Sequence, residues 1–138
     1  VLLPRRPAGY AGVLGLGTLD GADWPARTAA LAADGMPLVD DFRMTPGVPS
    51  AESDAAYRDL VHALPEGLTF VSIHPNAPGD IEAIVPPRAH FRTDEYRLLG
   101  AGRIAAWLEE AGVETIGYRV LRDRYRRALR DRYREAGP

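Results

Sequence analysis

The sequence predicts an α/β fold with mostly parallel strands and flanking helices, on three observations. Short apolar, β-branched runs alternate with stretches of helical periodicity. Gly and Pro fall between these segments, where the chain must turn. Several of the apolar runs end in polar side chains, as strands do at the functional edge of open α/β sheets and barrels.

Taken in order, Val1-Leu2-Leu3-Pro4-Arg5-Arg6 reads as a strand already in progress, without an initiating methionine, and is expected to begin a fragment. Trp24–Ala33 has helical composition, with Asp23 placed to cap it, Pro25 acceptable in its first turn and Gly35 past its end. Met36–Phe42 is a short buried strand ending in Asp40 and Asp41. Ser50 or Ser53 then caps a helix to Leu64, whose Tyr57, Leu60, Val61 and Leu64 share one face. Leu68–His74 is the next strand, stopped by Pro75, which has no N–H for a ladder. An irregular loop runs through Pro87, long enough to suggest function. Thr93, with Asp94 and Glu95 behind it, looks like a helix start with acids favourably set against the dipole. Ile104, Trp107, Leu108 and Ala111 form another apolar stripe closed by Gly112. Glu114–Tyr118 is read as a last strand and Val120–Glu135 as a final helix. No internal repeat or linker is visible, so residues 1–138 are expected to form one domain.

With 138 residues, 46% hydrophobic and 26% charged, the chain has the composition of a globular domain with one core. The formal charge of −2 and a pI near 5.9 provide no global electrostatic case for nucleic acid or an anionic membrane, and neither is expected as a partner. The absence of cysteine excludes disulfides and thiolate metal sites. No stretch reaches the roughly 18 apolar residues of a membrane span, and the expected compartment is cytoplasmic. Every basic residue is Arg, which rules out a catalytic lysine.

The candidate site follows from the strand ends. His74, at a strand's C-terminal tip, is the candidate catalytic residue, because an imidazole there is positioned to transfer protons. Asn76 follows it, Asp40 and Asp41 end the preceding strand, and Tyr118 and Arg119 end the last. Parallel strands would gather these groups at one mouth, with Asp near His. An Asp at such a point is as often a turn or cap residue.

His62 lies off its helix's apolar stripe and reads as surface, while His90 reads as a loop histidine. Neither makes metal-ligand spacing with His74, so no metal ligand is assigned. Gly12, Gly15 and Gly17 match neither a dinucleotide fingerprint nor a Walker loop. Arg119 to Glu135 carries eight Arg against Asp123, Asp131 and Glu135. A solvated face with i, i+4 pairs is the cheaper reading of that charge.

Four motifs in order add a family resemblance. They are Pro65-Glu-Gly-Leu-Thr, the strand into His74-Pro75, Phe91-Arg92-Thr93-Asp94-Glu95-Tyr96-Arg97-Leu98, and Glu110-Ala-Gly-Val-Glu-Thr-Ile-Gly-Tyr118-Arg-Val-Leu-Arg-Asp123. Together they resemble the C-terminal half of the YdjC-like (ChbG/HpnK) carbohydrate deacetylases, and Val1-Leu-Leu-Pro-Arg5 resembles the point where that family enters its second half. The resemblance covers nearly the whole chain.

It implies a partial (β/α) barrel of the polysaccharide-deacetylase-like type and a hydrolase removing acetyl groups from N-acetylated sugars. A divalent metal, Mg²⁺ or Zn²⁺, is implied for the complete enzyme, with a late-strand histidine protonating the departing amine. His74 matches that histidine and Arg92 the arginine after the long loop. Arg92, Asn76 and Asp40 are the expected substrate-binding residues. The family's metal-binding Asp and histidines lie in its N-terminal half and have no counterparts here, and position 89 is Ala where relatives carry a large aromatic. The expected partner is thus an acetylated sugar. The alternative is a non-catalytic carbohydrate-binding or interaction domain whose open half-barrel needs a second chain, as a homo-oligomer or with another protein.

Overall fold

The computed structural model describes residues 3–6 and 23–135. The six α-helices among them are α1 (Trp24–Ala33), α2 (Ser53–His62), α3 (Asp80–Ile84), α4 (Ala89–Gly100), α5 (Arg103–Glu110) and α6 (Tyr118–Glu135). Two strands, β1 (Asp41–Met44) and β2 (Thr69–Ser72), pair in parallel, and the fold is α/β. The glycines at 12, 15 and 17 lie outside the described residues.

The chain divides into two compact units. One holds residues 1–42, 67–70 and 115–138, and the other 43–66 and 71–114. In the first, Pro4 makes a parallel bridge with Val39, and the indole N–H of Trp24 donates to the Pro4 carbonyl at 2.9 Å. Leu38 and Val39 are buried there, and Phe42 stacks on Phe70 with ring centroids 5.5 Å apart. Helix α1 has the expected bounds, but Asp23 caps no N–H with its side chain and instead lies 3.9 Å from Arg27.

The second unit is built on Tyr57 and Val61 of α2, Leu98 of α4 and Trp107 of α5, with Ile73, Ile104 and Leu108 against them. Complete burial of Leu98 removes a whole leucine side chain from water, about 2 kcal/mol of transfer free energy. Ser53 does not cap α2. Its Oγ accepts from Arg97 at 3.0 Å.

Three sequence expectations are corrected. The segment 77–87 holds α3, entered at Gly79 with φ +134° while Glu82 reaches back to accept from the Gly79 N–H at 2.8 Å. Helix α4 starts at Ala89, four residues before Thr93, so His90 is helical and its ring lies against Phe91. Residues 114–117 form no strand; they are exposed and have no ladder partner among the described residues, and Tyr118 already opens α6.

Candidate functional site

Strand β2 ends at Ser72, and two residues on, His74 is exposed. Its imidazole makes no hydrogen bond or ion pair with any described residue. Its backbone is held: the His74 N–H donates to Glu95 Oε2 at 2.5 Å. Two residues further, the Asn76 N–H donates to the Arg92 carbonyl at 3.1 Å. The segment after β2 is thus pinned twice along one turn of α4, which brings His74, Asn76 and Arg92 into one neighbourhood.

Glu95 is the residue that sequence reasoning missed. It is 0% exposed, and its Oε1 accepts from Thr45 Oγ1 at 2.6 Å and from the Tyr57 hydroxyl at 2.5 Å. One carboxylate therefore joins the residue after β1, the core tyrosine of α2 and the backbone after β2. An acceptor-only group with three donors satisfies the rule that a buried charge must be fully hydrogen-bonded. Burial pushes the Tyr57 phenol far above the usual tyrosine range, and its hydrogen bond to Glu95 adds to the rise. The signal in the sequence was an acid three residues before Leu98, on the face that the core needs.

Beside it, Asp94 is buried and its Oδ2 has no hydrogen-bond partner among the described residues. Arg97 lies 3.7 Å from the other oxygen, and it donates to Asp54 at 2.6 Å. That hydrogen bond from Arg97 holds the Asp54 carboxyl below the usual carboxylate range and raises Arg97 in turn.

Asp40 is placed differently from its expectation. It precedes β1, so it marks the N-terminal end of the parallel pair, whereas His74 follows the C-terminal end of β2. The strand register is the reason, because the ladder with β2 begins at Asp41, and upstream of it Val39 pairs with Pro4 instead. The Asp40 carboxylate accepts from the Leu68 N–H at 2.8 Å and pairs with Arg5 at 3.2 Å. Gly67, at φ +107°, lies so close that a Cβ there would meet Asp40 Oδ2 at 2.6 Å. Tyr118 and Arg119 begin α6 rather than end a strand.

His62 is a surface residue, 3.8 Å from Glu110. An open cleft of about 390 Å³ lies between Arg43, Met44 and Pro46 and the Ala56, Asp59 and Leu60 side of α2; His74, Asn76 and Arg92 do not line it. Among the described residues, no group of three or more His, Asp or Glu is arranged to hold a metal ion. No described helix is long and apolar enough to cross a membrane.

No family model, curated protein or solved structure matches this chain. The functional reading therefore rests on the residues themselves.

Proposed function

We propose that this chain belongs to a metal-dependent carbohydrate deacetylase of the YdjC-like type, folded on a polysaccharide-deacetylase-like barrel, with His74 as the general acid. The single observation that carries the reading is the exposed imidazole two residues past the end of β2, on a backbone anchored to α4 through Glu95 and flanked by Asn76 and Arg92.

In amide hydrolysis a water oxygen bonds to the acetyl carbon and loses its protons to solvent, the C–N bond breaks, acetate is released and the amine takes up a proton as it leaves. His74 supplies that proton from its imidazolium and is reset from solvent, to which it is open. Asn76 and Arg92 bring an amide and a guanidinium, groups that hydrogen-bond sugar hydroxyls and an acetyl carbonyl. The described residues do not fit a metal, so no step is assigned to one and no ligand is named in this chain.

Acetate release from N-acetylated chito-oligosaccharides, with Zn²⁺ or Mg²⁺ added, tests the reading on this chain. His74→Ala should lower turnover at least about 100-fold, with an unchanged unfolding midpoint. Turnover unchanged in the variant removes His74 from the chemistry. Sugar binding without acetate release favours the carbohydrate-binding alternative.

A further inference from the structure

The final helix carries charge that its own fold does not use. On α6, Leu121, Tyr125, Ala128 and Leu129 form the half-buried stripe, and Ala128 faces Gly35. Arg132 lies 3.4 Å from Asp34 on the same side. The opposite face presents Arg119, Arg126, Arg130 and Arg134, at i, i+7, i+11 and i+15, with Arg127 beside them, all exposed.

The expected i, i+4 pairs do not form. Asp123 is taken by its neighbour Arg122 at 2.8 Å, and Asp131 lies beyond ion-pair distance of Arg127. Among the described residues none of the five arginines of this face has a carboxylate partner. Five unpaired guanidinia on one face repel one another, a cost that a polyanion removes.

The spacing selects the kind of polyanion. Arg126, Arg130 and Arg134 follow one another at about 6 Å along the helix axis, and the stripe from Arg119 to Arg134 spans about 22 Å. A regular row of phosphates offers a bidentate acceptor at each step, which suits arginine better than lysine. Tyr133, 78% exposed and three residues past Arg130, places a flat ring beside the row, where an unstacked base can lie on it. A lipid surface fits less well, because Leu121, Tyr125 and Leu129 are half-buried on the other side of α6, and its exposed Tyr118 and Val120 lie at the first turn rather than along the arginine row.

We propose that this outer face of α6 binds single-stranded nucleic acid, with Arg119, Arg126, Arg130 and Arg134 on its phosphates and Tyr133 stacked on a base. This reverses the expectation drawn from net charge, which averages a helix of +5 with an acidic remainder. It is independent of the reading given to His74.

The test is fluorescence anisotropy of a labelled 20-nucleotide oligouridylate with the whole chain across a salt series. The triple variant Arg126→Gln, Arg130→Gln, Arg134→Gln should weaken binding at least about tenfold, and should flatten the log K against log salt slope by about 2, three phosphates at about 0.7 each. Changing the same three to Lys keeps the charge and should retain most of the binding, which separates lost contacts from lost folding. Tyr133→Ala should weaken oligouridylate about tenfold and leave competition by poly-glutamate unchanged. The proposal is overturned by no binding at low salt, or by Gln variants that bind as the wild type does. It also fails if Tyr133→Ala is silent while poly-glutamate competes equally, the mark of an acidic protein partner. Capture by phosphatidylserine vesicles without oligouridylate binding would point to a membrane instead.

Discussion

Replacing Glu95 by Gln tests whether one buried carboxylate holds the second unit together. The substitution keeps shape and leaves one acceptor oxygen where there were two. With that oxygen at the Oε1 position, Thr45 and Tyr57 keep their acceptor and the new NH₂ group faces the His74 N–H, donor against donor. With the amide turned round, His74 is satisfied and the Thr45 and Tyr57 protons both lose their acceptor. Either way at least one donor loses its partner, a loss of about 1–3 kcal/mol, offset in part by relief of the buried charge. Glu95→Leu strands all three donors and should cost more, about 3–5 kcal/mol. Urea unfolding followed by Trp107 emission in a Trp24→Phe background reads this unit directly, since Trp107 belongs to its core. A cycle with Tyr57→Phe should show coupling of at least about 0.5 kcal/mol. If Glu95→Leu matches or exceeds wild-type stability, the carboxylate is a net burden and the hub argument is wrong.

Further expectations follow from the same geometry. Because burial raises the Tyr57 phenol in the folded state, its contribution is fully present below the unfolded value of about 10 and is lost as pH rises from there toward the folded value. Alkaline titration of stability should therefore fall above pH 10 in the wild type and flatten in Tyr57→Phe; identical curves would separate the phenol from the loss. Gly67→Ala places a methyl 2.6 Å from Asp40 Oδ2 at a φ of +107°, so it should destabilise the first unit by about 1–3 kcal/mol. Pairing it with Asp40→Ala should recover part of that loss, and thermal melts of the two single variants and the double variant decide it.

Local signals made some elements legible. Pro25 and Gly35 bracket α1 because their constraints act within a few residues, whereas β2 ends at Ser72, two residues short of the expected His74 and before Pro75 is reached. What stayed hidden depends on distant partners. Thr93-Asp94-Glu95 looks like a helix start, but Glu95 sits mid-helix because Thr45 and Tyr57, 50 and 38 residues away, neutralise its burial. Glu114–Tyr118 has strand composition and no neighbour to pair with among the described residues, and propensity without a ladder does not make a strand. Asp40 was visible as a polar group near a strand, but only the register tells which end of the strand it occupies.

The grip on residues 74 and 76 is made through main-chain N–H groups, and that has a consequence for how the chain can change. Any amino acid except proline offers the same N–H to Glu95 and to the Arg92 carbonyl. The two positions behave as sockets whose occupants can be exchanged while the socket stays fixed. A library varied at 74 and 76 would therefore sample new side chains on an unaltered backbone, so that this corner of the molecule can change its surface without a toll on folding.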